Sequence, residues 1–219
     1  MTLLLDSAMV TDARQAAGFG FVHGATTNPT LMAKTGRAPE QVIADLCAIL
    51  PGTIFYQLTA PSLAEKETEA HKMAAIRQGR VGLKIPCTLE NLGLAARLTQ
   101  EGMLVGITAI FSPAQVYLAC QAGARFVLPY VNRSTRLLGD GFALVESMRE
   151  VIEVGNYPVE IIAASVKSPD EAVQTLLAGA HHLTLPLAVI QAMGRHPLSD
   201  QAIAAFAIDA AQIPGKSAS

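Results

Sequence analysis

The chain has 219 residues, 51% of them apolar and 16% charged, with a formal charge of −2. That length and apolar content can bury one sizeable core, so a single domain over residues 1–219 is expected, with 198–219 as an extra helix and tail. The charge balance leaves no basic footprint for nucleic acid and no Lys/Arg run for anionic lipid, which points to a small-molecule ligand.

No apolar stretch reaches the roughly 18–20 residues of a membrane span. Met1 to Val10 is interrupted by Asp6 and shows neither a cationic leader nor a small-residue cleavage site. Cys47, Cys87 and Cys120 stand far apart in apolar surroundings, without the paired spacing of a disulfide framework or a zinc site. A cytoplasmic, reduced protein is expected.

In chain order, short apolar runs recur, each closed by a polar residue and followed by a segment of helical character. They are Leu3 to Asp6, Phe21 to Asn28, Ile54 to Gln57, Val81 to Lys84, Met103 to Thr108, Phe126 to Tyr130, Val159 to Ser165 and His182 to Leu185. Between them, Pro61 to Gln78, Leu89 to Glu101, Pro113 to Ala122 and Pro169 to Ala178 carry apolar residues at roughly 3.6 spacing. Gly139-Asp140-Gly141 reads as a turn before the sixth helix. Eight strand–helix units in this length predict a (β/α)8 barrel, and no GxGxxG or GxxxxGK[ST] turn supports a doubly wound sheet. Pro186 to Gly194 is the eighth unit's helix. Ser199 to Ala211 is an additional amphipathic helix with no strand to cover, expected to lie across the barrel or on a neighbouring subunit, and the tail 213–219 is expected to be mobile.

A parallel barrel gathers the C-terminal ends of its strands on one face, where catalytic side chains sit. Asp6, Asn28, Gln57, Lys84, Thr108, Tyr130 and Ser165 therefore share one mouth. Lys84 stands out, because it closes an apolar run that should be buried. Burial disfavours the ammonium and lowers its pKa toward about 7–8, where the free amine attacks carbonyl carbon. A snorkelling or ion-paired lysine is the ordinary alternative. With a carboxylate, a phenol, an amide and hydroxyls around it, and no His, Asp or Cys cluster with metal-ligand spacing, the set suits metal-independent imine chemistry without a cofactor. The pair His181-His182 lacks an evident third ligand and reads as packing.

Several segments together resemble the small transaldolase family, in particular its fructose-6-phosphate aldolase branch. They are Thr26-Thr27-Asn28-Pro29-Thr30, Val81 to Pro86 with its lysine, Pro129-Tyr130-Val131-Asn132-Arg133 and Ala163-Ala164-Ser165-Val166-Lys167. The resemblance covers almost the whole chain, in order. It implies a class I aldolase whose Lys84 forms a Schiff base with the donor ketone, with Asp6 assisting proton transfers. Gln57, Thr108 and Tyr130 would hold a water that deprotonates the C4 hydroxyl. Thr26 and Asn28 would join the donor-binding set, and Arg133 from the sixth loop, Ser165 and Lys167 would bind phosphate. Loop amides and a helix start at Ser165 to Pro169 suit the same anion. The implied substrate is a sugar phosphate and the implied assembly a homo-oligomer, a pentamer or decamer.

Ordinary transaldolases of the family carry glutamate where Gln57 stands and phenylalanine where Tyr130 stands, so this pair favours aldol cleavage over transfer. A transaldolase, an aldolase for a related ketose bearing another anion such as a sulfosugar phosphate, and a non-catalytic sugar-phosphate binder remain alternatives. Leu128 replaces an alanine of the aldolase branch, and Phe111-Ser112-Pro113 also differs, so both are expected to reshape the acceptor pocket. The last helix lacks the branch's tryptophan near Ala210.

Overall fold

The structure is a computed structural model that describes residues 1–213. Most of the expected tail, 214–219, lies outside the described residues. Eight parallel strands close into a barrel in sequence order. They are β1 (Thr2–Asp6), β2 (Val22–Thr26), β3 (Ile54–Gln57), β4 (Val81–Pro86), β5 (Val105–Ile110), β6 (Phe126–Pro129), β7 (Glu160–Ala163) and β8 (His182–Leu185). Around and between them run α1 (Val10–Gly18), α2 (Pro29–Ala33), α3 (Pro39–Ile49), α4 (Leu63–Ala75), α5 (Leu89–Gln100) and α6 (Pro113–Gln121). The chain continues through α7 (Val131–Leu138), α8 (Gly141–Val154), α9 (Pro169–Leu177), α10 (Leu187–Met193) and α11 (Pro197–Ala211). This is the (β/α)8 barrel with a C-terminal helix that the strand spacing predicts. Among the described residues no helix is long and apolar enough to cross a membrane.

Two apolar layers hold it together. The larger lies between strands and helices and is built from outward-facing residues such as Leu83, Ile85 and Ile107. A smaller cluster of Leu4, Phe55, Leu128 and Ile162, with Phe126 against it, fills the barrel interior. Successive strand residues point to opposite sides, so the residue two places beyond each interior residue also points inward, one layer nearer the mouth. Gly82 makes room for this packing: a Cβ there would lie 2.6 Å from the Phe55 ring.

Several predicted boundaries shift for local reasons. The second strand stops at Thr26 because the Asn28 side chain caps α2, accepting from Leu31 N–H, with Pro29 in the first turn. β5 extends to Ile110 through a register shift at Ala109, which adopts φ 56°. Arg133 does not sit on a loop. It belongs to α7, a helix that the sequence pattern left out ahead of the expected one. Asp140 caps that expected helix, α8, accepting from the backbone N–H groups of Phe142 and Ala143.

Leu128 also departs from expectation. It is fully buried in the interior cluster beneath the mouth, so it fills the barrel and does not line an acceptor pocket. The last helix is not amphipathic: at about 100° per residue, Leu198, Ile203, Phe206 and Ile208 are spread over more than half its circumference. None of its residues is buried.

Candidate active site

At the C-terminal face a cavity of about 460 Å³ is lined by Asp6, Asn28, Gln57, Lys84, Tyr130, Arg133, Ser165 and Lys167. Of the residues singled out in the sequence, all but Thr26 and Thr108 line it. The parity of the strands explains the convergence. Asp6 follows Leu4, Gln57 follows Phe55, Lys84 follows Gly82 and Tyr130 follows Leu128, each by two residues.

Lys84 is 2% exposed, and its Nζ donates to the Thr27 carbonyl at 2.9 Å. Burial lowers its pKa from 10.5 to about 8, against the opposing pull of the Asp6 carboxylate. Asp6 responds in the complementary sense. Burial pushes its carboxyl above the ordinary value, while Lys84, the Thr26 hydroxyl and Lys167 pull it down. Both shifts favour the neutral forms.

Thr26 is not among the residues that line the cavity. Its hydroxyl is buried, donates to Asp6 Oδ1 at 3.1 Å and lies 2.7 Å from the Thr184 hydroxyl. Thr108 is likewise buried and donates to the Tyr130 hydroxyl at 3.3 Å, a long bond. The bulge at Ala109 lies directly beyond it. The Gln57 amide oxygen is buried with no partner, which leaves an acceptor for a water or a substrate hydroxyl. Asn28 spends its carbonyl oxygen capping α2, so its NH₂ is the group left for a substrate oxygen.

The anion side of the mouth differs from the expected helix-terminus site. The Lys167 backbone N–H donates to Glu171 at 2.7 Å, and Ser168 caps α9, so the helix's own carboxylate occupies that amide. The cavity lining there consists of side chains, Arg133, Lys167 and Ser165, the last held at φ 61°, a conformation uncommon for a residue with a Cβ. The Arg133 guanidinium lies over the Tyr130 ring, and Phe111 meets the same ring edge-on with centroids 5.8 Å apart.

Sequence reasoning missed three groups. Lys34, at the end of α2, lines the cavity as a further cation. It lies six residues past Asn28, outside any strand-end pattern. The Thr27 carbonyl that holds Lys84 is a backbone atom with no sequence signature. Thr184 lies inside β8, so a search of strand ends passes over it. His181 and His182 lie far from the mouth: His182 Nε2 pairs with Glu160 at 2.9 Å, and His181 Nδ1 accepts from the Ile161 N–H.

A family model described as transaldolase/fructose-6-phosphate aldolase matches residues 3–216. The chain belongs to that family. A probable transaldolase of Geobacter sulfurreducens is 37% identical over 214 residues, 98% of this chain and all of the relative. A protein named probable transaldolase 2, of Bacillus anthracis, is 36% identical over 220 residues, covering 98% of this chain and 99% of that one. Among solved structures, a mandelate oxidase mutant bearing an FMN monooxide adduct is similar with a TM-score of 0.61. It is 12% identical over 86% of this chain and 64% of that one, a likeness of fold alone. As a transaldolase/fructose-6-phosphate aldolase family member, the chain carries its buried lysine on the fourth barrel strand.

Proposed function

We propose that this protein is a class I aldolase that cleaves fructose 6-phosphate reversibly to dihydroxyacetone and glyceraldehyde 3-phosphate through an imine on Lys84. The observation that carries this reading is the Lys84 amine, buried at the end of β4, held by the Thr27 carbonyl and poised near pH 8 opposite Asp6. A barrel that only bound sugar phosphates would gain nothing from an amine so poised.

The steps follow from the groups present. Lys84 adds to the C2 carbonyl, and Asp6 moves the protons that turn the carbinolamine into a protonated imine and water. The imine withdraws electrons from C3. A water between the Gln57 amide and the Tyr130 phenol takes the C4 hydroxyl proton, the C3–C4 bond breaks, and glyceraldehyde 3-phosphate leaves. The electron pair stays as an enamine on Lys84. Protonation at C3 through the Tyr130 and Thr108 hydroxyls and the water restores the imine, whose hydrolysis frees dihydroxyacetone and the amine. Arg133, Lys167 and Ser165 hold the phosphate.

The names of the relatives favour a second reading, transfer of the three-carbon unit to an aldose phosphate. Gln57 and Tyr130 weigh against it, since a transaldolase must guard its enamine from protonation. A ketose whose remote anion is a sulfonate fits Arg133 and Lys167 as well, because they recognise charge. We also propose that the protein is a cytoplasmic homo-oligomer; the four large apolar side chains that α11 leaves exposed support assembly.

The test is release of glyceraldehyde 3-phosphate from fructose 6-phosphate, with chelator present and no acceptor aldehyde. Multiple turnovers are expected. Release only when an acceptor is added would establish the transaldolase, and neither would exclude this substrate.

A further inference from the structure

The hydroxyl pair behind Asp6 has a direction that can be worked out by counting protons. Thr26 and Thr184 each carry one hydroxyl proton, and both side chains are fully buried. Ionised Asp6 only accepts, so the 3.1 Å contact at its Oδ1 uses the Thr26 proton. The 2.7 Å contact between the two threonines must then use the Thr184 proton. No other hydrogen bond of the Thr184 hydroxyl is found among the described residues.

We propose that Thr184 is a positioning residue of the active site: its hydroxyl donates to Thr26 and so commits the Thr26 proton to Asp6 Oδ1. The order is Thr184 to Thr26 to Asp6, three side chains from β8, β2 and β1. If the carboxyl proton settled on Oδ1, the chain would reverse and leave the Thr184 proton buried without an acceptor. The proton that Asp6 shuttles is therefore kept on Oδ2, the oxygen that Thr26 does not hold.

A donor behind a donor also polarises the bond in front of it. The Thr26 bond favours the ionised form of Asp6, opposing the burial that raises its pKa. The other groups lining the mouth with Asp6 are Lys84 from β4, Lys167 after β7, Tyr130 just after β6, Arg133 from α7, and Lys34 at the C-terminal cap of α2. Lys84 and Lys167 favour the same ionised form, but both line the cavity in which the proposed substrate and its phosphate would sit. Thr184 and Thr26 are buried behind Asp6 and outside the cavity lining, so the proposed bias does not depend on groups that would meet substrate.

This inference rests on the reading of Lys84 and Asp6 as the imine-forming pair, and one experiment separates the two. Formation of the borohydride-trapped adduct of dihydroxyacetone on Lys84 is followed from pH 5 to 9 in wild type, Thr184→Val and Thr184→Ser. The valine is nearly isosteric, and thermal unfolding of each variant reports whether the barrel is intact. In Thr184→Val the lower inflection of the coupled Asp6–Lys84 titration is expected to rise by about half a pH unit, with adduct formation several-fold slower. Serine, which keeps the donor, should restore both. A valine profile that superimposes on wild type would overturn the role of Thr184. So would equal loss in valine and serine, which would mark a packing effect. No adduct in wild type would overturn the imine reading itself, and this inference with it.

Discussion

The Arg133 guanidinium sits over the Tyr130 ring, 4.7 Å from its centroid. One side chain thus serves both ends of the proposed reaction, the phosphate at the rim and the phenol beside the scissile bond. Lysine keeps the charge but loses the planar group that stacks and forks. Arg133→Lys should therefore raise KM for fructose 6-phosphate about tenfold and also lower kcat. A change in KM alone would show that the stacking has no catalytic consequence.

Lys84 carries a prediction about stability as well as activity. In the fold it releases its proton at about pH 8, whereas the unfolded chain holds it to 10.5. Wild-type stability therefore rises with pH across that window, and below it the buried ammonium is carried at a cost. Lys84→Met should be inactive and folded, and more stable than wild type below pH 8 by about 2–3 kcal/mol. The difference should close toward pH 10.5. Denaturant midpoints at pH 7 and pH 10 measure it, and a variant less stable at pH 7 would contradict the burial argument.

Much of this site was legible because the interior of a barrel obeys a period of two. Gly82 and Lys84, Phe55 and Gln57, Leu4 and Asp6 can be paired from sequence once the strands are recognised. What stayed hidden lies off that period. Val131 to Leu138 is rich in polar and β-branched residues and reads as a loop, whereas the helix that carries Arg133 buries Val131 and Ser134. Lys34 depends on the cap that Asn28 places on α2. Thr184 obeys the period, two residues after His182, yet it lies one layer below the strand ends, where a hydroxyl looks like filler. The apolar spread of α11 reads as amphipathic only if a face is assumed in advance.

Tyr130 separates cleavage from transfer. Tyr130→Phe keeps the ring that meets Phe111 and Arg133 and removes the hydroxyl that accepts from Thr108. Aldol cleavage of fructose 6-phosphate should fall about 10²-fold, the lower range for a lost proton relay. Transfer to an added aldose phosphate should persist or increase. Unchanged cleavage would mean that another group protonates the enamine.

Lys34 lines the mouth together with Arg133, with no ion-pair partner among the described residues. Lys34→Met should raise KM for phosphorylated ketoses a few-fold and weaken the dependence of KM on salt. Its kcat and its affinity for uncharged dihydroxyacetone should not change. Equal losses for charged and uncharged ligands would show that Lys34 acts on structure and not on the anion.

The central claim is covalent, and it is tested most directly by trapping. The protein is incubated with dihydroxyacetone at pH 8, reduced with borohydride, digested and mapped by mass. The account predicts one reduced three-carbon adduct, on the peptide containing Lys84, absent from Lys84→Met. An adduct on Lys34 or Lys167 in place of Lys84, or no adduct in an active preparation, would contradict it.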